Sequence, residues 1–554
     1  MNNSFSVLQP SDSNESEGSS QPPFDPPIPE GANQRRYPRT VYLEPVQVIV
    51  GGWIHKQHIN AFAYDISSTG LCLQIPGDQL YEVGSKVTLL LKMIPSEIHS
   101  ITLEKPQLVE GVVTRALIND DSSWIYGVRL SNVIADGSEK VIPPYKRITA
   151  MIMLSLLIAA ICVLKINDLK WFWYAPFHRM YGLLAGAFFL SRVLLSIVYR
   201  EPKDNGFLPR VSVIISVKNE EAHIVETVKR VFDVRYPPNK MELIVIDDGS
   251  TDNTWGALQK IKDLYQNFKL YRFPKNQGKR HGMALGAREA SGDILVYVDS
   301  DSYIEAEGIY RLVQPFHDEK VGAVAGHTRV IVEENNSISK MEAVRYYVSH
   351  QLFKTAESVF GTVTCCPGAF SAYRREAVLK VLPVWLNQTF MGTKATFGDD
   401  RSLTNHILRT YRVVYHASAN CVTYVPDTWK KFFTQQLRWK KSWARETTIA
   451  ARIMIHKHPL AALFYYIGVL VTLLSPFVFL TAMLYNPIVL GQSFLPYLLG
   501  VLMVYLFLCI VYLHNTGASH WYYGLLFAVC YMGILCWQTF YAIGTMNKNH
   551  WGTR

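Results

Sequence analysis

The chain has 554 residues, 49% of them hydrophobic and only 18% charged, with a formal net charge of +10. That length allows two or three domains with full cores, and the low charge fraction fits a protein partly dissolved in lipid. The positive balance does not mark a nucleic-acid polymer as partner, because the basic residues are spread among apolar flanks and one aromatic stretch, the pattern of membrane-surface attraction. The eight cysteines, two of them adjacent at Cys365 and Cys366, show neither a disulfide framework nor zinc-ligand spacing, and read as buried reduced thiols.

Residues 1–33 are rich in Ser, Pro, Asn and acid with no apolar core, so a disordered tail is expected and not a cleavable signal peptide. From 34 to 133, short alternating runs such as Val41–Val50, Leu71–Ile75 and Val109–Ile118 are punctuated by Gly, Pro, Asn and Asp, the pattern of a small all-β barrel. After the Pro143-Pro144 linker, residues 148–199 hold two apolar runs, Ile148–Leu164 and Tyr181–Tyr199. Each is about long enough to cross ~30 Å of hydrocarbon, although the first is short enough for a buried core helix. Lys146, Arg147 and Arg200 place both outer flanks in the cytoplasm.

Residues 205–427 alternate β-rich runs (Val211–Val217, Glu242–Asp247, Ile294–Asp299) with helical stretches (Ala222–Asp233, Asn253–Gln266). A parallel sheet covered by helices follows, with ligands at the carboxyl ends of its strands, where Asp247 and Asp299 stand. Residues 428–457 carry Trp429, Phe432, Trp439 and Trp443 at helical spacing, accompanied by Lys430, Lys431, Lys440, Lys441 and Arg445, and read as amphipathic helix in the headgroup layer. Residues 460–513 hold two further spans, and 521–554 an aromatic-rich apolar segment suited to an interface as well as to a crossing.

Five acidic or basic patches carry the chemistry. Asp299-Ser300-Asp301 puts two carboxylates on one turn, able to place oxygens on Mg²⁺ or Mn²⁺, although a lone Asp-x-Asp is more often an ordinary turn. Asp247-Asp248-Gly249-Ser250 stands on a neighbouring strand end, where an acid can accept from a nucleobase or ribose and Gly249 lets backbone approach closely. Asn276-Gln277-Gly278-Lys279-Arg280 adds a turn with two cations for a diphosphate; a solvated loop is the competing reading. Gly398-Asp399-Asp400-Arg401 and Gln435-Gln436-Leu437-Arg438-Trp439 complete the order.

This order resembles the inverting, processive family-2 glycosyltransferases, the group of cellulose, chitin and hyaluronan synthases. It is nearest to the hyaluronan and chitin-oligosaccharide branch through Cys365-Cys366-Pro367-Gly368 and Tyr373-Arg374-Arg375. The resemblance implies an α/β GT-A-type, Rossmann-like catalytic domain embedded in transmembrane helices. Asp400 would then be the general base. Asp247, Asp248, Lys279, Asp299 and Arg438 would hold the nucleotide sugar, and Asp299 with Asp301 the metal. Gln435, Trp439 and Asp399 would meet the acceptor sugar. Arg438 can fork onto phosphate oxygens where lysine cannot. Lys218 stands where the family usually has an aromatic before Asn-Glu, which puts base packing there in doubt. Trp551-Gly552-Thr553-Arg554 resembles the mobile segment that closes over the nucleotide in hyaluronan synthases, so Trp551 and Thr553 are expected to gate. A gate on the catalytic side favours an interfacial or re-entrant 521–546.

The N-terminal barrel resembles a PilZ domain through Arg35-Arg36-Tyr37-Pro38-Arg39, Asp65-Ile66-Ser67-Ser68-Thr69-Gly70 and Tyr126-Gly127-Val128. The resemblance implies cyclic di-GMP binding by Arg35, Arg36, Arg39, Asp65, Ser67 and Gly70. The expected whole is a cyclic-di-GMP-activated synthase of a β-linked exopolysaccharide, in the bacterial inner membrane with both domains cytoplasmic. It would use a UDP-sugar, with UDP-GlcNAc favoured, extend a growing polysaccharide and translocate it, and it leaves room for export partner proteins. A UDP-glucose β-glucan synthase, a non-processive transferase onto a lipid acceptor, and a catalytically silent cyclic-di-GMP receptor are the alternatives.

Overall fold

A computed structural model describes residues 40–50, 57–67, 70–76, 86–95, 100–118, 123–130, 142–167 and 176–546. The barrel strands and the segment from 142 onward fall largely into two compact units, taken in turn.

Six strands close the first unit: β1 (Thr40–Val50), β2 (Gln57–Ser67), β3 (Gly70–Pro76), β4 (Lys86–Pro95), β5 (Ser100–Ile118) and β6 (Ser123–Leu130). They run β1-β2-β3-β6-β5-β4, and β1 pairs β4 through Val48↔Leu89 to complete the ring, which removes exposed sheet edges. Leu73, Val113, Tyr126 and Val128 point into its core. Asp65 pairs with Cys72 and Ser67 with Gly70, so the acid–serine–glycine motif sits at the β2–β3 turn. Arg35, Arg36 and Arg39, and the 1–33 tail, lie outside the described residues.

The second unit is built on an eight-stranded sheet ordered β11-β16-β12-β13-β10-β7-β8-β9. Its strands are β7 (Val211–Val217), β8 (Met241–Asp247), β9 (Phe268–Arg272), β10 (Ile294–Val298), β11 (Ser302–Ile304), β12 (Val321–Val330), β13 (Phe370–Arg374) and β16 (Arg412–Thr423); β14 (Thr389–Phe390) and β15 (Thr393–Lys394) form a separate hairpin. The β9-β8-β7-β10 half is the parallel sheet the alternation predicts, and β12 also runs parallel to β16. β13 enters antiparallel between β10 and β12, and β11 antiparallel to β16, making the sheet mixed. Both faces are covered. Val213, Ile215 and Val217 pack with the helix Ile224–Phe232, whereas Ile214 and Ile246 pack with Ala284 and Ala287 of the helix Lys279–Glu289. Such double burial explains why these strands read as unbroken apolar runs.

Among the described residues, five helices are long and apolar enough to cross a membrane: Pro144–Val163, Phe177–Val198, Pro459–Leu490, Leu495–Thr516 and Tyr523–Gly544. The last contains a π-helical turn, Tyr531–Leu535, and its length suits a crossing as well as the interfacial placement expected from its aromatic content. The basic aromatic stretch is one helix, Trp429–Met454, capped by the Thr428 hydroxyl. Its aromatics turn inward more than expected. Phe432 is fully buried beside Ile338, Met341 and Leu535, while Trp429 stays 40% exposed.

Candidate active site

The donor end is assembled from strand ends and the turns that leave them. Asp247 closes β8 with its side chain fully buried. One carboxylate oxygen accepts from the Ser250 amide at 3.0 Å, and the other lies 3.0 Å from Arg272 Nε, whose guanidinium rests 5.1 Å from the Trp255 ring centroid. Asp248, expected on the nucleotide, instead accepts from the Gln277 and Gly278 amides at 2.6 and 2.8 Å. Burial pushes its carboxyl up while those two amides pull it back. Gly249 has φ +68°, and a Cβ there would lie 2.7 Å from the Asn276 nitrogen. The close approach this glycine permits is therefore to the 275–278 loop, and Asp248 clamps that loop and sets where Lys279 begins its helix. Asn219, at φ +53°, ties the preceding turn to this patch by accepting from the Thr251 amide at 2.8 Å.

Lys279 pairs with Asp299. Burial pulls its ammonium down, but Asp299, then Asp400 and Asp399, more than offset that and hold it above its ordinary value. One cation thus feels both the strand-end acid and the acid expected to act as base. Asp400 lies half-buried in the first turn of the helix Asp399–Leu408, with the Cys365 thiol 3.6 Å from its Oδ2. Burial and then Asp400 push that thiol up to about 11, so Cys365 stays protonated and can donate. Gly398 enters the helix at φ +73°, and any Cβ there would overlap Ser442 on the helix Trp429–Met454, which locks the two helices together.

Asp399 and Arg280 depart from expectation. Arg280 Nε donates to Asp399 Oδ1 at 2.7 Å, both side chains are 5–6% exposed, and Arg280 Nη1 also bonds the Trp385 carbonyl. Asp399, expected at the acceptor, is thus held in a buried ion pair, and Arg280 is held there with it and not in a solvated loop. Their separation of 119 residues hid the pair from any local reading.

Asp301 is 4% exposed and Asp299 sits two residues before it on the turn after β10. Among the described residues no group of three or more His, Cys, Asp or Glu could hold a metal ion. Two hard carboxylates on one turn do fit Mg²⁺ or Mn²⁺, which bind through one or two carboxylates and complete their shells with water and substrate phosphates.

The residues expected at the acceptor stand on helices. Trp439 lies 6.4 Å from the Tyr346 ring, and the Arg345 guanidinium stands 5.1 Å over its indole. Gln435 Oε1 is buried without a hydrogen-bond partner among the described residues, an acceptor that a ligand hydroxyl would satisfy. Arg438 is half-buried beside Trp439. A cavity of about 230 Å³ runs from Cys365 and Arg401 past Trp443 to Phe188 and Thr472 on the apolar helices. Sequence alone did not bring out Arg345, Tyr346 or this cavity, which arise from contacts between helices distant in the chain. Trp551 and Thr553 lie outside the described residues.

Residues 212–382 match the family described as glycosyl transferase family 2, and residues 33–142 match the PilZ domain. A hyaluronan synthase of Streptococcus pyogenes is 33% identical over 292 residues, 51% of this chain and 68% of that protein. The chain belongs to the family-2 glycosyltransferases. An N-acetylglucosaminyltransferase of Rhizobium meliloti is 32% identical over 294 residues, again covering 51% of this chain and 68% of that one. A solved mannosyltransferase from Pyrobaculum calidifontis, in complex with GDP-Man and Mn²⁺, is 19% identical with a TM-score of 0.45, covering 68% of this chain and 99% of that one. This glycosyltransferase is therefore of the processive, synthase-like group. Its catalytic domain is GT-A-type, a PilZ domain precedes it, and its apolar helices make it a membrane protein.

Proposed function

We propose that this glycosyltransferase polymerises a β-linked polysaccharide from a UDP-sugar, UDP-GlcNAc foremost, at the cytoplasmic face of a bacterial inner membrane, and that cyclic di-GMP on the PilZ domain activates it. The observation that supports the reading is the Lys279–Asp299 ion pair, with Asp400 among the acids that hold that ammonium charged. It puts charge balance for a leaving diphosphate beside a carboxylate able to take a proton.

In this reading Asp400 accepts the proton of the acceptor hydroxyl as its oxygen attacks the anomeric carbon. The bond from that carbon to the diphosphate oxygen breaks, its electron pair leaves with the nucleoside diphosphate, and the centre inverts. Lys279 and Arg438 balance the departing charge, so no acid is needed on that side. A divalent cation held by Asp301 and Asp299 would supply further charge neutralisation of the diphosphate. Trp439 offers the acceptor sugar an apolar face, and Gln435 a hydrogen bond. The cavity running from Cys365 to the apolar helices supports an exit path for the chain.

The test is incubation of membranes with single labelled nucleotide sugars, with and without cyclic di-GMP. Incorporation from UDP-GlcNAc that rises with cyclic di-GMP is expected. Incorporation from UDP-glucose alone would replace the donor assignment with a β-glucan synthase, and transfer of one sugar to lipid would replace polymerisation.

A further inference from the structure

Glu342 and Arg345 stand three residues apart on the helix Ser337–Val348. Glu342 is fully buried, and its two oxygens take Arg345 Nε at 2.7 Å and Nη2 at 2.5 Å. Two parallel bonds fix the plane of the guanidinium as well as its position. Three rings gather around it at 5.1–5.6 Å: Trp439 from the amphipathic helix, Tyr346 from its own helix, and Phe527 from the apolar helix Tyr523–Cys530. An ordinary helix ion pair on a surface would need none of this. A carboxylate with no solvent exposure is costly unless its partner is held, and here the held partner lies over the aromatic ring assigned to the acceptor.

We propose that Arg345, locked by Glu342, is the positioning residue that holds the Trp439 indole in place as the acceptor wall and fastens that wall to the helix Tyr523–Cys530. The inference rests on the polymerase reading. A sugar face stacked on Trp439 must present its hydroxyl to Asp400, so a freely rotating indole would still permit donor turnover to water but would misplace the acceptor.

The test uses the full chain in lipid nanodiscs with the UDP-sugar it incorporates, measuring nucleoside diphosphate released and sugar built into polymer in the same reaction. Arg345→Met is expected to lower the ratio of polymer to diphosphate about tenfold, the scale of losing a desolvated cation–π contact. Arg345→Lys, which keeps the charge but not the fork, is expected to lower it about threefold, and it carries the test if the methionine variant fails to accumulate. In a Trp439→Ala chain, adding Arg345→Met should change the ratio less than about twofold, because the residue it positions is gone. Either of two results overturns the inference while leaving the polymerase intact: both Arg345 variants at the unsubstituted ratio, or an Arg345→Met loss undiminished in Trp439→Ala. Diphosphate release by no UDP-sugar at all overturns the polymerase reading and the inference with it.

Discussion

Lys279 and Lys440 are both partly withdrawn from water, yet they are pushed in opposite directions. At the donor end, burial lowers Lys279 but the acids Asp299, Asp400 and Asp399 raise it further than burial lowers it. At the acceptor end, burial pulls Lys440 down to about 8, with only weak compensation, and its Nζ leans on the Thr539 hydroxyl at 2.8 Å. The contrast extends to how each end is built. The donor end hangs on backbone amides and a glycine at sheet edges, which leave few alternative positions. The acceptor end hangs on side-chain stacking between helices, one of them apolar enough for lipid. A donor site can thus stay constant while the acceptor wall responds to what the membrane helices do.

The strongest way to break this comparison is at the base between the two ends. Asp400→Asn keeps the shape and loses the proton acceptor, so polymer synthesis should fall about 10²–10⁴-fold while donor affinity holds within about threefold. Unchanged polymer yield with cyclic di-GMP bound would remove Asp400 from catalysis. Measured incorporation and isothermal titration with UDP decide it.

Next in size is the strut behind the base. Asp399→Asn leaves the Arg280 guanidinium buried and unpaired, which costs about 3–5 kcal/mol. A loss of thermal stability and of activity together is expected. A variant that folds normally but alters only acceptor KM would restore Asp399 to the acceptor role read from sequence. Gly249→Ala acts on the donor end alone. Its Cβ would press on the backbone of Asn276, and its φ of +68° strains any other residue, for about 1–3 kcal/mol. Donor KM should rise through displacement of Lys279, with the ratio of polymer to diphosphate unchanged, which is the reverse of the Arg345→Met pattern.

The sequence made one end more legible than the other, for a physical reason. Strand ends and their acids are local: an apolar run, then Asp247 or Asp299, announces itself within ten residues. The parallel half of the sheet was readable for the same reason, whereas the antiparallel insertion of β13 depends on a chain return that alternation does not encode. Asp248 and Asp399 were read as ligand contacts because an acid in a motif looks alike whether it faces a substrate or a loop amide. Which way it points is decided by Gln277, Gly278 and Arg280. The aromatic helix reads as lying in the headgroup layer, yet its Phe432 packs with Ile338, Met341 and Leu535, and its Trp439 stands under Arg345. Hydrophobicity alone does not distinguish a protein partner from lipid.

The smallest effect follows from the sign of the Lys440 shift. An unfolded lysine titrates near 10.4, so between about pH 8 and 10.4 the unfolded chain holds a proton that the folded chain has released. The unfolded state binds more protons in that window, and stability must therefore rise with pH through it. Below about pH 8 both states are protonated and the cost of the buried ammonium is fully present. Melting of the protein in nanodiscs should show an upward contribution of about 1–3 °C between pH 8 and 9.5 that Lys440→Met removes. A comparable substitution at Lys279 should leave that rise in place, because the folded value of Lys279 is raised and not lowered. If both variants flatten the same window, the two ends share one electrostatic environment and the contrast between them fails. If only Lys440→Met does so, the helix Trp429–Met454 is held to the last apolar helix by a contact that loosens on protonation, and the acceptor wall is the softer of the two ends.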